Sequence, residues 1–77
     1  MANIGDWAMV RKAIIDELEA VNYYEDFIQR LQSPDAIELM QHINDEEKEH
    51  IAELTELLRL LDPMQAKKLH DELRSGV

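Results

Sequence analysis

Residues 32–39 read "QSPDAIEL", and this short stretch sets the course of the whole chain. Ser33 offers a hydroxyl that caps a helix, and Pro34 suits the first helical position, where its missing N–H would have had no partner. Asp35 and Glu38 fall near the positive end of the helix dipole. A helix therefore starts at Pro34, and any helix before it has to stop. Upstream, an apolar-periodic run extends from Trp7 to about Leu31 with no breaker, and Asp6 is its expected N-cap. Downstream, the periodicity carries to about Leu61, where the pair Asp62 and Pro63 repeats the stop-and-start signal. A short amphipathic segment over 63–74 follows, with Met64, Ala66, Leu69 and Leu73, ending near Gly76.

The first two helices are joined by only a few residues, so they fold back as an antiparallel hairpin. Two glycines and two prolines in 77 residues, with 45% hydrophobic side chains, favour helices over strands. The expected fold is all-α, a single domain over residues 1–77 with helices at about 7–31, 34–61 and 63–74. A chain this short buries little apolar surface alone. A second copy is therefore expected to close a four-helix bundle.

Seventeen acids against eight bases give a net charge of −9, which repels nucleic acid and anionic membranes and attracts cations. Cysteine is absent, which excludes disulfides and thiolate chemistry. No apolar run is long enough to cross a bilayer, and "MANIGDW" is unlike a signal peptide, so a cytoplasmic protein is expected. No Walker, Rossmann, zinc-finger or G-x-S-x-G pattern occurs. The basic residues are scattered apart from Lys67 and Lys68, too few for a nucleic-acid surface.

The two long helices share an anomaly. The first carries a heptad seam of Val10, Ile14, Glu17, Val21, Tyr24, Ile28 and Leu31, with one acid in it. The second has a stripe of Ile43, Glu47, His50, Leu54, Leu57 and Leu61, with two ionisable members. Counted from Ser33, Glu17 lies sixteen residues back, and Glu47 and His50 fourteen and seventeen forward. At 1.5 Å per residue all three sit roughly 21 to 26 Å from the bend. They should meet at one level.

Two carboxylates and an imidazole inside a bundle need a shared countercharge, so a metal is favoured over a buried hydrogen-bonded polar cluster. With a second hairpin the cavity would gather four carboxylates and two imidazoles, the ligand set of di-iron carboxylate bundles. Such donors suit iron, two ions per dimer interface, with calcium, manganese or zinc as other occupants. Asp16 and Glu19 flank Glu17, and Glu46, Glu49, Glu53 and Glu56 form a further acidic stripe. These read first as a solvated face and second as a funnel for cations. Tyr24 reads as packing, with a hydroxyl able to bond a carboxylate ligand, while His42 and His70 fall off the seams and Trp7 packs near a helix end.

"AIIDELEAVNYYE" followed by "INDEEKEHIAELTELLRLLDP" resembles the encapsulated ferritin family over about residues 8 to 63. The resemblance implies a ferritin-like half-bundle that pairs to build a ferroxidase centre between subunits. It also implies a homo-oligomer, commonly a decameric ring, inside an encapsulin shell that stores the mineral. By position, Glu17, Glu47 and His50 match the family's iron ligands, and Asp16 and Glu19 match acids that bind cations near the mouth of the site. Tyr23 stands where some members have tryptophan. Encapsulated members often carry a C-terminal targeting peptide, and "LRSGV" has nothing like one. A removed tail, fusion to the shell protein and life outside a shell all stay open. Two other functions are weighed beside a ferroxidase: a metal-binding module without turnover, and a structural hairpin whose seam acids set register.

Overall fold

A computed structural model describes residues 4–74. These form α1 (Ile4–Arg30), α2 (Pro34–Leu61) and α3 (Pro63–Arg74), with no strand among the described residues. The first two helices pack as a hairpin and α3 leans on the end of α2.

The turn chemistry follows from its residues. Ser33 is extended (φ −73°, ψ 121°), and its hydroxyl accepts the Ala36 N–H at 3.3 Å. Its carbonyl takes the Ile37 N–H at 3.0 Å, so the first orphan donors of α2 are met. At the other joint one aspartate serves two helices. The Asp62 N–H closes α2 on the Leu58 carbonyl at 2.8 Å, and its carboxylate accepts the Gln65 N–H at 3.3 Å to start α3. Arg11 of α1 pairs with the same carboxylate and donates from Nε to Gln65 Oε1 at 3.0 Å. One guanidinium thus ties α1 to the joint of α2 and α3.

Helix α1 starts three residues earlier than the Asp6 cap implies, and Asp6 lies in its first turn. There it still faces the positive end of the dipole, so the same carboxylate is consistent with either boundary. The cap position itself falls outside the described residues, as does Gly76.

A larger correction concerns which stripe of α2 meets α1. The buried residues of α2 are Asn44 and Leu58, and they belong to the series Met40, Asn44, Glu47, Ile51, Leu54, Leu58 and Leu61. This series and the one read from the sequence share Glu47, Leu54 and Leu61. They part at 43 against 44, 50 against 51, and 57 against 58. Ile43, His50 and Leu57 are therefore turned toward the edge of the seam, and His50 and Leu57 are exposed. Both series have heptad spacing, so spacing alone could not separate them.

The core is thin. Leu58, 5% exposed, is the buried apolar residue among the described residues, and the backbone extends 46 × 32 × 14 Å. Met9, Ile15, Leu18, Leu39, Leu60, Met64 and Leu69 are exposed. A single layer of helices has no second layer to cover them. No helix among the described residues is long and apolar enough to cross a membrane.

Candidate metal centre

Halfway along the hairpin, α1 and α2 bring Glu17, Glu47 and His50 together, each offering a ligand atom within 4.8 Å of the others. His50 Nδ1 lies 3.9 Å from Glu17 Oε2 and 3.8 Å from Glu47 Oε2. These are not hydrogen bonds. They are separations that one ion with bonds of about 2.1 Å could span, since opposite donors around it stand about 4.2 Å apart. Glu47 is the most enclosed at 19% exposed, Glu17 follows at 28%, and His50 is half open at 48%.

The charges are unbalanced. Among the described residues the imidazole is the basic group within 4.0 Å of either carboxylate. Two partly enclosed acids without a lysine or arginine favour a cation from outside. Glu17 and His50 line an open depression of about 410 Å³ with Glu53, Leu54 and Leu57. The group therefore opens on the side of the hairpin where α2 turns out His50 and Leu57.

The remaining residues singled out from the sequence lie outside this group of three. Asp16 is exposed and pairs with Lys12, whose ammonium is held above its ordinary value first by that hydrogen bond and then by the charges of Asp16 and Glu19. Glu19 is exposed. Tyr24 is half-buried, with its ring 5.9 Å from that of Tyr23 at 80°, edge to face. Tyr23 is exposed and packs against Phe27 at 4.2 Å. His42 bonds to Glu46 at 2.6 Å on the surface, and His70 sits 3.8 Å from Asp71. Trp7 is half-buried, and its Nε1 is covered without an acceptor among the described residues.

Sequence reasoning missed two features. The Arg11–Asp62 pair joins residues 51 apart, and nothing in local spacing announces it. Asn44 sits one turn before Glu47 on the stripe that faces α1, which heptad spacing alone does not distinguish from its neighbour.

The EncFtn-like family model matches residues 1–75. The chain is 44% identical over 57 residues to the encapsulin nanocompartment cargo protein EncC of Myxococcus xanthus, covering 74% of this chain and 44% of that protein. It is 36% identical over 64 residues to cargo protein EncB of the same organism, covering 83% of this chain and 40% of that protein. An encapsulated ferritin-like protein of Rhodospirillum rubrum is 36% identical over 61 residues, covering 79% of this chain and 44% of that protein. The chain spans less than half the length of each of these relatives. No solved structure matches it significantly. With the family model reaching from one end to nearly the other, the chain belongs to the EncFtn-like family of encapsulated ferritins.

Proposed function

We propose that the chain is a ferroxidase domain whose substrate is Fe(II), bound between two copies by Glu17, Glu47 and His50 of each. The observation that carries this reading is the meeting of these three ligand atoms within 4.8 Å, on a flank that a single chain leaves open. Leu39, Ile43, His50 and Leu57, at spacings of four and seven, line that side of α2. A second hairpin laid there would cover the leucines and bring a second set of three ligands to the first.

In this reading Glu17 and Glu47 neutralise the positive charge that iron gains on oxidation, and His50 supplies a neutral nitrogen donor. Two electrons, one from each Fe(II), reduce one dioxygen to the peroxide level, and Fe(III) leaves as product. The protein's contribution is to hold two ions at a fixed separation with coordination positions open to dioxygen. Asp16 and Glu19, exposed beside Glu17, collect cations at the mouth; Lys12 is the resident cation that an arriving ion displaces from Asp16. Tyr24, one heptad after Glu17 on α1, has a hydroxyl able to bond a carboxylate ligand, and Tyr23 packs edge to face on its ring. The relatives named as encapsulin cargo support a location inside an encapsulin shell in the cytoplasm. There the domain would work as a homo-oligomer that hands Fe(III) to the shell's interior.

The test is aerobic Fe(II) oxidation, corrected for oxidation in buffer, beside Glu47→Ala in the same oligomeric state. The expected result is a fast rate that falls to background in the variant. Equal background rates with metal-dependent dimerisation would instead make this a binding module without turnover. Full activity in a demonstrated monomer would sink the shared-site reading.

A further inference from the structure

Asn44 precedes Glu47 by three residues and His50 follows it by three, so the two turn about 60° to opposite sides of Glu47. His50 opens toward one groove of the hairpin, and Asn44 lies toward the other. That second groove, about 510 Å³, runs between α1 and α2 and is lined by polar groups of Glu25, Gln29, Gln41, Asn44, Asp45 and Lys48. Asn44 is 5% exposed, and its Oδ1 is buried with no hydrogen-bond partner among the described residues. A buried carbonyl oxygen left unpaired is costly, because it has given up water and gained nothing in return, and it calls for a donor or a cation.

The lining indicates which. Glu25 and Asp45 bring two carboxylates, and the three amides offer carbonyl oxygens. Against them stands one ammonium, Lys48, whose Nζ is 3.7 Å from Glu25 Oε1. That distance is too long for a hydrogen bond, and both side chains are about half exposed, so Lys48 is a loosely held countercharge. The groove contains no sulfur and no imidazole, which disfavours soft metals. It is also roomy enough for an ion that keeps part of its water shell.

We propose that this groove is a second cation site, separate from the group of Glu17, Glu47 and His50, taking a hard divalent ion of the calcium or magnesium class. Asn44 Oδ1 is the inner ligand, and Glu25 and Asp45 supply the charge. Lys48 swings aside when the ion binds. Because the site ties α1 to α2 on the far side of the hairpin, its occupancy stiffens the scaffold that carries Glu17 and Glu47.

The experiment titrates Ca2+ alone into the chain by calorimetry, in a background of Asp16→Asn, Glu17→Gln, Glu19→Gln and Glu47→Gln that removes the acids of the mid-hairpin centre and its mouth. One Ca2+ per chain is expected to remain. Adding Asn44→Leu should weaken it at least tenfold, and adding Glu25→Gln with Asp45→Asn should do the same while leaving every buried position untouched. Lys48→Ala should tighten it. Circular dichroism and sedimentation confirm that each variant keeps its helices and oligomeric state. In the same background Ca2+ should raise the melting temperature, and with Asn44→Leu it should not. No Ca2+ binding in the background would overturn the proposal. So would unchanged binding in both groove variants, or weaker binding in Lys48→Ala.

Discussion

Two sets of ionisable groups are partly enclosed in this hairpin, and they are satisfied in opposite ways. At the α2–α3 joint the Asp62 carboxylate, 11% exposed, has the Arg11 guanidinium and the Gln65 N–H as partners. At mid-hairpin Glu17 and Glu47 have an imidazole nearly 4 Å away. The first set closes on itself and needs nothing from outside. The second has ligand atoms and no countercharge. Burial of a charge alone therefore does not mark a binding site; burial without a partner does.

The contrast breaks most visibly on adding metal. Zn2+, which cannot be oxidised, should stabilise the protein by about 2.7 kcal/mol at a hundredfold excess over its dissociation constant. Glu17→Leu should abolish that gain in denaturant melts. Without metal the same variant should be as stable as the parent or more so, because it removes an enclosed charge. If Glu17→Leu destabilises the metal-free protein, the acid already has a partner and the contrast fails.

Arg11→Met probes the other set and should act in the opposite direction. It leaves the Asp62 carboxylate enclosed and unpaired at a cost of about 2 kcal/mol, less than the 3–5 kcal/mol of a fully buried pair because Arg11 is 39% exposed. Urea unfolding measures it, and metal should make no difference to the loss. A loss below that of a surface pair would mean that water reaches Asp62 freely.

The fold was legible because its punctuation is chemical. Ser33–Pro34 and Asp62–Pro63 state where helices stop and start, and a three-residue join leaves an antiparallel hairpin as the short way back. The coincidence of Glu17, Glu47 and His50 at one level was also legible, since helix rise is constant and distances from the bend can be counted. The exact face of α2 was not. Two heptad series run side by side through Glu47, and only packing against α1 decides that Asn44 and Leu58 go in while His50 and Leu57 stay at the edge. The Arg11–Asp62 pair was hidden for a different reason. It depends on where α3 leaves α2, and the periodicity within one helix carries no such information.

Ser33→Ala sharpens the comparison at smaller scale. The cap is exposed and its bond to the Ala36 N–H is 3.3 Å long, so the loss should be about 0.5 kcal/mol, the low end for a helix N-cap. Thermal melts of the two proteins at equal concentration measure it. A loss as large as that of Arg11→Met would mean that the bend is covered in the assembled protein.

The smallest effect belongs to the pair that has the most bonds. Arg59 donates from Nε and Nη2 to both oxygens of Glu56, at 2.6 to 3.1 Å, and this holds the Glu56 carboxyl below its ordinary value of 4.5. A lowered folded value means that the stabilisation is present above the ordinary glutamate range and is lost as pH falls through the folded value. Both groups are exposed, however, and an exposed pair trades its bonds for equally good ones to water. Glu56→Gln should therefore shift the urea midpoint at pH 7 by less than Ser33→Ala does, and by less still once the pH has fallen through the lowered folded value and the carboxylate is protonated in both states. A larger shift at pH 7 that vanishes on acidification would show Glu56 and Arg59 shielded from water. Their face of α2 would then lie against another copy of the chain, and the unpartnered surface would extend beyond the flank that carries His50.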